Sequence, residues 1–476
     1  MRWDGDDMRK LFATITSAAL CLSLTACSNP VATLETGLEE PVSPVGNYNA
    51  EGEPYTDEGT VETAIGEYTT DDGICRITVF DSYFEVTLDE TSCTPYQAGA
   101  AYATAIRNVY PDFDESLESY IFENIRMAFP DLADDYTPVE DRMFTLYNSL
   151  DERYQQEISG LAETMCGDWH GIYPDNKISV EEMMLMQMVG DALRPTACSG
   201  LALWGSKTET GDMLTVRCLE WLLGSENQMA RIHCVLHVVN GERSFTSIGF
   251  LGILDVITGI NHDGVFVATL DADCGEPYTS EGRTCYTWAL RHCLEEYDNA
   301  HDAAQYLYDN SGSYTFAHII MVTDGNEALA AEDAPAQLVE AGRGHSVTRD
   351  AGTPLMSDLT WDSPDSLCLV NSFVSQDNRD LMSNSAVNLV RFSKYNEWVS
   401  SINVFDLAAL KNMMTQEIVD TELYGMNTIE NVHRDILTQM ILVDYHTGNV
   451  QVAFTGVEGV VDRPVFVDIG NYQNWD

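Results

Sequence analysis

Basic residues are scarce in this 476-residue chain, and lysine almost disappears. Lysines stand only at positions 10, 177, 207, 394 and 411, and with arginine they total 24 against 76 acidic residues. The net charge of −52 argues against nucleic acid or anionic lipid headgroups as partners, because like charges repel. Acidity spread this widely reads as a solvated exterior rather than as a site. The ten histidines show no metal-ligand spacing. No Gly-rich phosphate loop and no Ser-His-Asp order stands out, so neither a metal nor a cofactor is expected. Internal repeats are absent. Apolar content is ordinary at 45%, enough for a sizeable core, and the length suits two or three average domains or one large sandwich.

An address is written at the N-terminus. Leu11–Leu24 is an apolar run after Arg9-Lys10, too short to span a bilayer as a permanent helix. It leads into L-T-A-C, with Cys27 last. This resembles the bacterial lipoprotein signal, in which the cysteine is lipid-modified and becomes the new N-terminus. Residues 1–27 are therefore expected to be a signal peptide, with Met8 as the start that gives a clean M-R-K opening; a plain secretory peptide is the alternative. The implied location is the outer face of the bacterial cytoplasmic membrane. Residues 28–66, rich in Glu, Pro, Gly, Thr and Ser, read as a flexible acidic tether.

Export makes disulfides possible. Setting aside Cys21, Cys27 and Cys198 leaves an odd set: Cys75, Cys93, Cys166, Cys218, Cys234, Cys274, Cys285, Cys293 and Cys368. Cys75 and Cys93 flank an apparent hairpin, Ile74–Leu88, and are candidates to staple it. Helical patterns follow at Tyr96–Tyr110, Asp114–Phe129, Val139–Met165 and Lys177–Leu193. The first is dense in small residues, and the last opens on the capping box Ser179-x-x-Glu182. From Ser199 onward short β-type runs dominate, interrupted by helices at Tyr286–Tyr297, Ala300–Tyr308, Asn384–Val399 and Asp406–Met414. Strands, a helical layer, then strands again suit an α+β fold of two stacked antiparallel sheets with helices on both outer faces.

One stretch organises the rest: T-A-C-S-G-L-A-L-W-G-S-K-T-E-T-G-D-M-L-T-V-R-C-L-E-W, Thr196–Trp221. It predicts two strands, Ser199–Trp204 and Met213–Cys218, joined by a polar turn, with Cys198 just ahead of the first. Pairing of the strands brings Arg217 near Cys198, where a guanidinium favours the thiolate. A lone cysteine is more often buried or bridged than catalytic, so the motif has to carry the weight.

Cysteine, small residue, apolar strand, A/L-W-G, turn, strand and R-x-x-[D/E]-W resemble the start of the catalytic chain in one N-terminal-nucleophile amidase superfamily. It holds the penicillin V acylases, bile salt hydrolases, acid-ceramidase-like amidases and autoproteolytic isopenicillin N acyltransferases, with phospholipase-B-like relatives. The resemblance implies a four-layer αββα sandwich and a precursor cut between Ala197 and Cys198. Residues 67–197 would then be a light fragment and 198–476 the catalytic core. A cysteine freed at its own N-terminus supplies both nucleophile and base, since an α-amine titrates near neutral pH.

By the same resemblance Arg217 contacts the nucleophile sulfur and Glu220, where relatives carry aspartate, holds the α-amine. Asn371 in L-V-N-S offers an amide to the oxyanion hole, and Arg391 in S-A-V-N-L-V-R-F braces the site. Asn261 in G-I-N-H-D-G matches a family turn, and Asp271 falls where bile salt hydrolases carry an asparagine. An ionised aspartate cannot donate there, which weakens a bile salt assignment. The expected activity is hydrolysis, or acyl transfer, of a linear non-peptide amide through a Cys198 acyl-enzyme, with a small-molecule acyl amide as partner. The alternatives are a non-catalytic ligand-binding lipoprotein on the same fold and a phospholipase B-like ester hydrolase.

Overall fold

The computed structural model describes residues 54–475 except 133–134, 194–195, 242, 273, 275–277, 377, 379–385, 416, 421–427, 432–436 and 460–462. The expected signal peptide, Cys27 and most of the tether lie outside the described residues.

The chain opens with β1 (Gly66–Thr69), β2 (Cys75–Val79) and β3 (Phe84–Asp89), then runs through helices to β4 (Thr196–Leu203) and β5 (Leu214–Trp221). Next come β6 (His233–Val239), β7 (Phe245–Phe250), β8 (Thr258–Asn261) and β9 (Phe266–Asp271). Two helices lead to β10 (His318–Thr323), β11 (Ala328–Asp333), β12 (Val347–Arg349) and β13 (Ser366–Val370). A small ribbon of β14 (Glu417–Asp420) and β15 (Thr428–Asn431) precedes β16 (Leu437–Asp444), β17 (Asn449–Phe454) and β18 (Phe466–Asn471).

Two sheets result. One has ten strands in the order β1-β2-β3-β6-β7-β8-β9-β10-β11-β12, the other six in the order β13-β4-β5-β16-β17-β18. Every pairing is antiparallel except β3 with β6, which run parallel. The fold is thus α+β, with two stacked sheets and helices outside them. Strand alternation sorts β4 and β5 cleanly. Cys198, Ala202 and Leu219 belong to the cluster shared with the large sheet. Leu201, Leu203, Val216 and Cys218 pack instead with Phe392, Tyr395 and Trp398 of the helix Ala386–Ser401.

Most helix expectations hold to within a residue or two. Thr94 and Gln97 form a capping box ahead of Pro95–Val109, and Ser179 with Glu182 forms the expected one ahead of Val180. The small-residue helix meets its neighbour closely: a Cβ at Gly99 would lie 2.0 Å from the Glu157 carbonyl oxygen, so only glycine fits. Two expected long helices are each broken. Thr137–Tyr147 and Glu152–Cys166 flank an Asn-Ser-Leu-Asp link, residue types that compete with helical hydrogen bonding. Val180–Met186 and Val189–Leu193 part around Gln187, whose backbone carbonyl accepts the indole N–H of Trp288 at 2.7 Å. That second break comes from packing, which periodicity does not register.

Two expectations are corrected. Cys75 and Cys93 are both free thiols; Cys75 is sealed in the core and Cys93 Sγ donates to the Asp89 carbonyl at 3.5 Å. The segment read as tether up to residue 66 is already docked at Tyr55. The Tyr55 hydroxyl donates to Pro464, and Thr60 exchanges backbone hydrogen bonds with β18, donating to Phe466 and accepting from Asp468. Lys411 Nζ donates to the carbonyls of Thr56, Asp57 and Glu58 at 2.8, 3.1 and 3.2 Å. A polar composition can serve a docked strap as well as a free tether, because its backbone groups find partners on the fold.

Candidate active site

Cys198 lies inside β4, not ahead of it. The strand runs from Thr196 in the uncut chain, with Ala197 paired to Glu220 and Cys198 to Leu219. Arg217 stands opposite Gly200, on the same inward face as Cys198. Gly200 lets the facing sheet close in on that face, since a Cβ there would sit 2.8 Å from Met321 Sδ. Both side chains are fully buried. Arg217 Nη2 donates to Cys198 Sγ at 3.3 Å and to the Thr269 carbonyl of β9 at 2.7 Å. Its Nε and Nη1 have no acceptor among the described residues.

Burial pushes the Cys198 thiol up, and the Arg217 charge only partly opposes it. Proximity to the Arg217 guanidinium therefore does not bring the Cys198 thiol below its ordinary value. Desolvation of an anion in a dry strand pair outweighs one neighbouring cation. The same burial pulls Arg217 below its ordinary value, while the Cys198 thiol works the other way.

Asn371 immediately follows β13 and reaches the same place from the neighbouring strand. Its Oδ1 accepts from the backbone N–H of Cys198 at 2.5 Å, and its Nδ2 donates to the Asp271 carbonyl at 2.7 Å. Both ends of the amide are engaged, so in the uncut chain Asn371 holds the nitrogen of Cys198 rather than offering donors to an oxyanion. Asp271 contributes a backbone oxygen to this arrangement.

Glu220 faces the other way. Three residues after Arg217 on one strand, it projects from the opposite side of the sheet, into the helical layer. There its Oε1 accepts from Arg391 Nη2 at 2.7 Å, with both side chains fully buried. Arg391, an ordinary surface arginine by pattern alone, is a buried partner of Glu220. The structure brings Cys198, Arg217 and Asn371 together on the inside and Glu220 with Arg391 on the outside. Asn261 stands apart: its Nδ2 donates to Leu294 and Tyr297 carbonyls at 3.0 and 2.8 Å and its Oδ1 accepts from Val265, which makes it a turn staple.

Three contributors had no sequence signal. Thr269 acts through its backbone carbonyl, which any residue supplies. Asn388 Nδ2 donates to the Asn371 carbonyl at 2.9 Å, and Tyr395 shares a 2.9 Å hydrogen bond with Ser199. Only their helical position, one turn either side of Arg391, hinted at them.

Fold and site together define a two-sheet sandwich with a buried cysteine, an arginine and an asparagine on its inner face. No family model and no characterised protein compared by sequence matches the chain. Solved structures do. An N-acylethanolamine-hydrolyzing acid amidase orthologue from Caenorhabditis elegans shares 12% identity at a TM-score of 0.34, over 52% of this chain and 92% of that one. A mutant conjugated bile acid hydrolase from Clostridium perfringens gives 12% and 0.35, over 59% and 95%. Penicillin V acylase from Agrobacterium tumefaciens gives 10% and 0.32, over 54% and 83%.

Proposed function

We propose that this chain is the precursor of an exported, lipid-anchored cysteine amidase that cuts itself between Ala197 and Cys198. One observation carries the reading: the backbone nitrogen of Cys198 is already held by Asn371 Oδ1 while its sulfur sits against Arg217. β13 ends at Val370, so a side chain takes over as acceptor for this amide, and the same oxygen is in place to hold the α-amine that cleavage would free.

The self-cleavage would proceed by addition of the Cys198 thiol to the Ala197 carbonyl carbon. The carbonyl–nitrogen bond breaks, the nitrogen takes the proton and becomes a free amine, and water hydrolyses the resulting thioester. In the mature enzyme that amine accepts the thiol proton and the thiolate attacks the carbonyl of a linear, non-peptide amide. The amine product leaves with the proton, and water releases the acyl group; transfer of the acyl group to another amine is the close variant. Arg217, with two nitrogens unused, is the cation next to the reacting sulfur and available to the developing oxyanion. Lipidation at Cys27 would anchor the protein on the outer face of the membrane.

End sequencing of the purified protein tests this directly. Two fragments, the larger beginning at Cys198, support it; a single chain that Cys198→Ala leaves unchanged overturns it. The complete burial of Cys198 favours one other reading, a sandwich that never cleaves and binds a ligand, and the same gel separates the two. Chromogenic acyl amides assayed beside acyl esters then distinguish an amidase from an ester hydrolase.

A further inference from the structure

Asn371 sits at the start of an irregular segment, yet its amide has to meet the nitrogen of Cys198 with hydrogen-bond accuracy. Beyond Asn388 and the pairing of β13 with β4, two residues from the opposite sheet hold the chain around it. Glu332 on β11 is fully buried, and Arg349 on β12 is nearly so. Both project from the face that carries Met321, toward the six-stranded sheet. Arg349 Nε donates to Glu332 Oε1 at 3.2 Å, and Arg349 Nη2 donates to the Cys368 carbonyl at 2.8 Å, three residues before Asn371. Glu332 accepts from the backbone N–H of Val374, three residues after Asn371, at 3.0 Å. It also accepts from Ser375 N–H at 3.3 and 3.4 Å and from Asn378 Nδ2 at 3.1 Å. Asn378 in turn accepts from His345 N–H at 3.0 Å.

We propose that the Glu332–Arg349 ion pair is the positioning unit for Asn371, gripping the chain on both sides of it and fixing where its amide meets Cys198. A carboxylate that loses its water needs compensation, and here one guanidinium with four donor contacts from the segment supplies it. An ion pair serving stability alone would not need to reach four residues that flank Asn371 on both sides. Neither Glu332 nor Arg349 touches the reacting atoms; both act through Asn371. The consequence for catalysis rests on the proposed self-cleavage, but the grip itself does not.

Hydrogen–deuterium exchange on the uncut Cys198→Ala protein tests the grip. Adding Glu332→Gln is expected to speed exchange at least tenfold at residue 198 and at 374–375, with residues 449–454 unchanged. Arg349→Lys keeps the charge but loses the reach to Cys368 and is expected to act in the same direction, more weakly. Should Glu332→Gln fail to fold, that milder variant decides. Unchanged exchange at residue 198 overturns the proposal in either variant. The catalytic arm follows self-cleavage of precursor made by cell-free synthesis. Glu332→Gln is expected to slow it at least tenfold, and the double variant with Asn371→Ala is expected to be no slower than Asn371→Ala alone. Rates that multiply in the double variant overturn the shared route. A wild-type precursor that never cleaves defeats the proposed function and leaves the exchange result to decide the grip.

Discussion

The two faces of β4 and β5 carry similar chemistry to different ends. On the outward face a buried carboxylate meets a buried guanidinium, Glu220 with Arg391 at 2.7 Å, and Ser199 meets Tyr395 at 2.9 Å. On the inward face the guanidinium of Arg217 has no carboxylate within ion-pair distance among the described residues; its neighbours are a thiol and a backbone carbonyl. A buried cation without a counter-charge is costly, and a strand pair built only for stability would supply one. Under the proposed function the negative charge beside Arg217 is transient, on a thiolate or an oxyanion, whereas the one beside Arg391 is permanent.

The sharpest way to break that contrast is Cys198→Ala, expected to leave one intact chain on a denaturing gel where the wild type gives two. Arg217→Met removes the inward cation, and self-cleavage is expected to fall about 100-fold, the range seen when one electrostatic stabiliser is lost in acyl transfer. On the outward face Glu220→Gln strands the Arg391 charge. Urea unfolding of the uncut Cys198→Ala protein is expected to show a loss of about 3–5 kcal/mol, partly recovered when Arg391→Met is added. Asp255 offers a third case, a buried acid in the loop between β7 and β8. Burial raises its carboxyl to about 8 against opposition from Thr287, with the Asp191 carboxylate adding and Arg291 opposing. Its folded value lies above its unfolded one, so its contribution is complete in acid and is lost as pH rises through about 8. Stability measured across that window is expected to fall, and Asp255→Asn to flatten the slope. The smallest effect is Tyr395→Phe, which removes one neutral outward hydrogen bond; about 1 kcal/mol is expected, with self-cleavage unchanged.

Much of the architecture was legible because it depends on short-range pattern. The hairpin before the helices, the Ser179 capping box and the order of strands and helices follow from residue type and spacing. The two broken helices divide on the same principle: the Asn-Ser-Leu-Asp link is a local signal, whereas Gln187 stops its helix for the sake of Trp288, a hundred residues away. At the candidate site the motif pointed to Cys198, Arg217, Glu220, Asn371 and Arg391, but not to their grouping, with Cys198, Arg217 and Asn371 on one face and Glu220 with Arg391 on the other. An interval of three along a strand sends Arg217 and Glu220 to opposite faces, a parity that would have been readable had the strand been drawn through Glu220. The engagement of Asn371 by Cys198 and Asp271, and its grip by Glu332 and Arg349, join strands far apart in sequence.

By itself the sequence determined where the strands and most helices run and that the chain is strongly acidic. Only the tertiary structure decided the burial of Cys198, the partner of Glu220 and the docking of the strap at Tyr55. The physical reason is range. Helix and strand propensities act within a few residues, while desolvation and ion pairing depend on which surfaces two stacked sheets press together.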